Sequence, residues 1–193
     1  MASLADSLRQ LLLDPAEAET LDVHGVTEAA VLVPLHVLPG DGLAAVFTRR
    51  RNDMRQHAGE ISFPGGRRDT ADRSLLATAV REAHEEVGLK VQEADVLGAL
   101  QPTPTIVTGF AIYPFVALIT RPKAWKPNAS EVADVIELPI SDLITGYARR
   151  RVLRRGLAFR TDTYVADGHL IWGATARILA DLLDRLTLLG EHA

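Results

Sequence analysis

The stretch Arg81-Glu82-Ala83-His84-Glu85-Glu86-Val87-Gly88-Leu89 limits what this chain can fold into more than any other. It closes a segment in which Leu75, Leu76, Ala79, Val80, Ala83 and Val87 recur at helical spacing, and that spacing predicts a helix over 75–87. Ser74 can cap its first free amides, and Gly88 can turn left-handed at its end. On such a helix Glu82, Glu85 and Glu86 stand at i, i+3 and i+4, so their carboxylates share a face while the apolar stripe turns to a core. Three carboxylates this close repel one another unless a cation sits among them. Hard oxygen donors suit Mg²⁺ or Mn²⁺, which keep water and phosphate oxygens as further ligands. Arg81, one turn before Glu85, can hold that side chain. A solvated acidic face would account for the same three glutamates, and on the helix alone the two readings are evenly matched.

The rest of the chain supplies a sheet for this helix. Runs rich in β-branched and aromatic residues at 29–35, 43–48, 111–119 and 132–138 read as strands, with a further β-rich region over 157–165. A second helix is expected over 174–189, where Ile178, Leu179, Leu182, Leu183 and Leu186 repeat. Leu4, Leu8, Leu11 and Leu12 predict a short packing helix stopped by Asp14-Pro15. Strands and helices in this order predict an α/β fold, a mixed sheet covered by helices on its faces. The expected organisation is a helical extension over 1–26 and one domain over 27–193. Between the second strand and the first long helix lies an irregular segment, 49–72, crowded with arginine, glycine and acidic residues. A loop of that length in a compact domain is usually functional or disordered.

The formal net charge of -4 gives no reason to expect nucleic acid or an anionic membrane as partner. A chain that handles phosphates despite that charge must concentrate arginine locally or recruit a cation. With no cysteine, disulfides, thiolate zinc sites and thiol nucleophiles are excluded, which fits a reducing compartment. No apolar run approaches the roughly 20 residues that span a bilayer, and the first residues lack the unbroken apolar core of a signal peptide. A cytoplasmic location is expected, and a homodimer is kept open.

Gly65-Gly66 followed by the acidic helix resembles the Nudix box, G-x5-E-x7-R-E-U-x-E-E-x-G-U, with U aliphatic. Arg81-Glu82, Ala83, Glu85-Glu86, Gly88 and Leu89 match it. The interval from Gly66 to Arg81 is one residue longer than the pattern, and Asp72 replaces the first glutamate when counted from Gly66. Counting back from Arg81 would put Arg73 there, so the extra residue is placed between Asp72 and Arg81. The resemblance, covering about residues 28–143, implies the Nudix fold, an α/β/α sandwich around a mixed sheet. It also implies substrates built as a nucleoside diphosphate joined to another group, with Mg²⁺ or Mn²⁺ as cofactor.

Upstream, Val46-Phe47-Thr48-Arg49-Arg50-Arg51, then Arg55, Gly59 and Phe63-Pro64-Gly65-Gly66, resembles the extra motif of the coenzyme A diphosphatase branch, L-L-T-x-R-[SA]-x3-R-x3-G-x3-F-P-G-G. This implies coenzyme A or a derivative as substrate, cut to 3′,5′-ADP and 4′-phosphopantetheine. Arg50, Arg55, Gly59, Phe63, Gly65 and Gly66 are then the expected substrate-binding residues. Several planar guanidinium forks together suit phosphate oxygens, whereas arginines at a strand end can also merely pair with Asp53, Glu60 and Asp69. Glu82, Glu85 and Glu86 are the expected metal ligands. Glu85, Glu86, Arg81 and, from outside the box, Glu131 are the expected catalytic residues. His57 is a weaker candidate for a phosphate or water contact. His84 falls between the helix faces and is expected in solvent. Trp125 could stack on adenine but more often packs, and the arginines at 149–151, 154 and 155 read as a solvated face. The alternatives are hydrolysis of ADP-ribose, NADH or dinucleoside polyphosphates, and a non-catalytic nucleotide-binding module. Loss of box glutamates would mark the latter, and all three are present.

Overall fold

The computed structural model describes residues 3–40, 42–53, 59–105, 108–154 and 157–190. Two short helices come first, α1 (Leu4–Leu11) and α2 (Pro15–Glu19), followed by β1 (Thr27–Val37), β2 (Leu43–Arg50), β3 (Ile61–Ser62) and β4 (Gly65–Arg67). Next stand α3 (Leu75–Val87), β5 (Ala94–Ala99), β6 (Thr103–Pro104), β7 (Phe110–Ile119), β8 (Val132–Pro139) and α4 (Ile140–Thr145). The chain continues through β9 (Tyr147–Arg154), β10 (Leu157–Ala166), β11 (His169–Trp172) and α5 (Gly173–Gly190). The long strands and both long helices stand where the periodicity puts them. α3 has the predicted bounds because both caps form. The Ser74 hydroxyl accepts from the Ala77 amide, and Gly88 closes the helix at φ 73.

One sheet is mixed. β1 runs parallel to β7, while β2, β4, β5, β6 and β8 join antiparallel. Alternation along β1 sorts the core. Ala30 and Leu32 pack with Leu75, Ala79, Ala83 and Val87 of α3 on one face. Val33 and Leu35 pack with Ile178, Leu179 and Leu182 of α5 on the other. This is the expected α/β/α sandwich. A smaller antiparallel sheet, β11-β10-β9, adds Tyr164 and Ile171 to the α5 side. Arg149, Arg150 and Arg151 are exposed on β9 of that sheet, as a solvated face requires.

At the start of the chain the expectation needs correction. Asp14-Pro15 does not stop a helix but begins α2: the Asp14 carboxylate accepts from the Ala16 and Glu17 amides, and proline at the first helical position has no amide to leave unsatisfied. α1 has already ended at Leu11, and Leu13 bridges to Ala99 of β5. Leu8 and Ala18 are buried, so both helices pack on the sheet. No helix among the described residues is long and apolar enough to cross a membrane.

Candidate active site

β4 and α3 form the floor of the site. Gly65 and Gly66 lie opposite Val31 and Ala30 of β1, and α3 crosses above them. A Cβ at Gly66 would stand 2.5 Å from the Glu82 carboxylate, and one at Gly65 would collide with the Ala30 carbonyl. The glycine pair is therefore what lets two acidic side chains close onto backbone. The Gly65 amide donates to Glu86 Oε2 at 3.1 Å.

Arg81 is the hub of the outer half. Its Nε and Nη2 both donate to Asp72 at 2.9 Å, and Nη1 donates to Glu82 at 2.9 Å and to Glu85 at 3.1 Å. Asp72 is thus the acid that meets Arg81, while Arg73 is exposed. The hydrogen bonds from Arg81 hold Asp72 far below the usual carboxylate range, and those to Asp72, foremost, raise Arg81 in turn. Among the described residues no three acidic or histidine side chains converge as a ready cation cage, because Arg81 draws Glu82 and Glu85 to itself.

Glu86 differs from its neighbours. The helix face that carries the three glutamates does not turn wholly to solvent: Glu86 lies beside Ala83 and Val87 and is 5% exposed, whereas Glu85 is exposed. Burial, then repulsion from Glu82 and Glu131, push Glu86 up to about 7 against the pull of the Gly65 amide and Arg50. Burial also raises Glu82, opposed by Arg81 and helped by Glu85 and Glu131. Glu131, half-buried in the loop before β8, therefore shares the electrostatic neighbourhood of two box glutamates. The donor set fits a hard divalent ion. Glu86 offers oxygens held by a single amide, and a cation there would offset the desolvation and repulsion that disfavour its charge.

The arginines separate into two kinds. Arg51 pairs with Asp53 through two bonds, at 2.9 and 2.6 Å, and also donates to the Ala129 carbonyl. Arg49 reaches Asp134 at 3.3 Å. For these two the plain pairing reading holds, with Asp134 a partner that sequence did not suggest. Arg50 is held more loosely: its Nη1 stands 4.0 Å from Glu86 Oε1, and its buried Nε, like that of Arg49, has no hydrogen-bond partner. Arg55 and His57 lie outside the described residues. Gly59 adopts φ 69, and a side chain there would meet Asn52 at 2.7 Å.

Phe63 lies deeper than Gly65 and Gly66 of the same motif. It is 2% exposed and stacks on Phe47 at 4.6 Å, within the core on the α5 side, so its place in this structure is a packing one. Its position fixes the chain that leads into Gly65. His84 is exposed, with Nδ1 3.2 Å from the Leu89 carbonyl. Trp125 is half-buried against the α3-side core, with Nε1 donating to Glu137 at 2.7 Å, which is the packing role. Sequence reasoning missed His36, whose buried Nε2 stands 2.8 Å from Glu137.

A family profile of the NUDIX domain matches residues 27–156. An uncharacterized Nudix hydrolase NudL of Salmonella paratyphi B is 38% identical over 175 residues, spanning 90% of this chain and 88% of the relative. Among solved structures, a MutT/nudix family protein from Enterococcus faecalis aligns with a TM-score of 0.56 and 14% identity, over 96% of this chain and 70% of that one. The NUDIX domain of Shewanella oneidensis NrtR, solved with ADP ribose, gives 0.54 and 16% over 97% and 98%. At such identities the two structures speak to the fold alone, and it is this fold.

Proposed function

Because the chain belongs to the Nudix hydrolase family, which acts on pyrophosphate bonds of nucleoside diphosphate derivatives, we propose that its substrate is coenzyme A or an acyl derivative, cut to 3′,5′-ADP and the phosphopantetheine half. The observation that carries this reading is Arg50. Among the described arginines of the upstream motif it is the one whose ion pair, to Glu86, is as long as 4.0 Å, while Arg49 and Arg51 are hydrogen-bonded to Asp134 and Asp53. A half-buried guanidinium beside the acidic helix is suited to grip a pyrophosphate oxygen bidentately.

In this reading Glu82, Glu85 and Glu86 hold Mg²⁺ or Mn²⁺, which when bound would offset charge on the pyrophosphate and make water a better acid. Arg81 keeps Glu82 and Glu85 in reach until they are needed. Arg50 orients the pyrophosphate so that one phosphorus faces the attacking water. Glu131, outside the box and close enough to disturb both inner glutamates, takes the proton.

The test is a substrate panel of coenzyme A, dephospho-coenzyme A, ADP-ribose, NADH and a dinucleoside polyphosphate with each metal, products identified by mass. Coenzyme A should show the highest kcat/KM. Arg50→Ala should lower kcat/KM on coenzyme A and dephospho-coenzyme A alike by about ten- to a hundredfold, the loss of one charge-assisted hydrogen bond. A wild-type preference for ADP-ribose or NADH would refute the coenzyme A assignment.

A further inference from the structure

We propose that Glu137 is a positioning residue for the reaction: through the indole of Trp125 it fixes the loop over 120–131, which caps α3 beneath the metal-binding glutamates and presents Glu131. The inference rests on the reading of Glu131 as the base.

Glu137 sits on β8 opposite Val46, on the face that carries α3. Its carboxylate collects donors from two directions: Arg121 contributes Nε and Nη2 at 2.7 and 2.8 Å, and Trp125 contributes Nε1 at 2.7 Å. His36 Nε2 stands 2.8 Å away but makes no hydrogen bond. Arg121 is half in solvent, so its bonds are screened and compete with water. The indole packs against the α3-side core, so its bond to Glu137 is the better shielded tie between the loop and β8.

From Trp125 the loop is tied to the catalytic helix residue by residue. The Lys126 amide donates to the Val87 carbonyl at 3.1 Å, and the Asn128 amide to the Glu86 carbonyl at 2.9 Å. These are carbonyls of the last turn of α3, which have no partner inside the helix. The Asn128 carbonyl then accepts from the Glu131 and Val132 amides at 3.0 and 2.8 Å, and the Glu131 carbonyl accepts from the Arg51 amide at 3.0 Å. Glu137 itself lies near neither the glycine pair nor Arg50 by any contact, so its influence must travel along this strap. A displacement of the indole moves the backbone of Glu86 and of Glu131 together. Misplacement of reacting groups by about an ångström is enough to cost orders of magnitude in rate.

Trp125→Phe keeps the ring and deletes only the N–H, so it separates position from packing. On the nucleotide conjugate turned over fastest in the panel above, Trp125→Phe should lower kcat about tenfold with KM changed less than about twofold. Glu137→Gln retains an acceptor oxygen for the indole and should stay within about threefold of wild type. Glu131→Gln should lower kcat by itself, and adding Trp125→Phe to it should cost less than about twofold more, because the displaced group is already disabled. A lower melting temperature for Trp125→Phe with kcat unchanged would overturn the proposal, as would a tenfold loss that persists in full on the Glu131→Gln background. Glu131→Gln at wild-type kcat would instead remove Glu131 as the base, and with it the route proposed here.

Discussion

Glu86 and Glu137 both lie on the α3 side of the sheet, with side chains 6% and 19% exposed, and they have opposite surroundings. Glu137 is buried enough to be pushed up, but the bonds from Arg121 and Trp125 bring it net below the ordinary glutamate value. Glu86 has one backbone amide and a guanidinium at 4.0 Å, and it is pushed up to about 7. Burial costs the two carboxylates in the same way, and only Glu137 has been given donors enough to offset it. A carboxylate with every oxygen engaged works as a joint between elements. One left under-bonded against a glycine cradle suits the cation-ligand role proposed above.

The comparison breaks most visibly in turnover. Glu86→Gln should cut kcat by two to three powers of ten, the scale on which fixed electrostatic groups act. Its melting temperature in chelator should stay level or rise, since a desolvated and repelled charge is removed. A large loss of stability with activity retained would make Glu86 structural after all. Next in size is the pH dependence of stability without metal. The folded pKa of Glu86 is raised from 4.5 to about 7, so its contribution is complete below about 4.5 and lost as pH rises through about 7. The loss amounts to roughly 3 kcal/mol, and urea unfolding at a series of pH values should show it flattened in Glu86→Gln. Glu137, being lowered, has the opposite sign: its contribution is present above its unfolded pKa and lost as pH falls through the folded one. Smaller again, Glu137→Ala should destabilise by about 1–3 kcal/mol, the cost of leaving the Trp125 N–H without an acceptor. Arg51→Ala should barely move the melting temperature, because both partners of its pair with Asp53 are largely in solvent.

What the sequence made legible was what repeats or caps. α3 declared itself by periodicity, by Ser74 and by Gly88, and the carboxylate spacing on it could be read from helix geometry alone. The long strands were legible for the same reason. β3, β4 and β6 were not, since two or three residues carry no period, and β9 hid behind arginines that read only as a solvated face. At the site, a motif marked the glycines and glutamates but not what each touches. Phe63 stands in the same motif as Gly65, yet it serves the core, and only the packing of Phe47 against it reveals that. The burial of Glu86 was missed because a helical wheel gives the angle of a side chain and not the depth of the sheet beside it. The bond from Trp125 to Glu137 joins a loop to a strand across 12 positions, which no local pattern announces.

The parallel pairing of β1 with β7 bears on the order in which this protein assembles. Thr27 and Phe110, the first partners in that register, are 83 positions apart. β1, β2, β4 and α3 can find one another within a much shorter span, so the helix, its caps and the Asp72–Arg81 clamp need not wait for β7. Closing the longer loop is the costlier search, and non-local pairings of this kind slow folding. Refolding from denaturant should therefore show helical signal returning ahead of enzymatic activity. The acidic helix would form first, on half a sheet, and gain its full support only when the far strand docks.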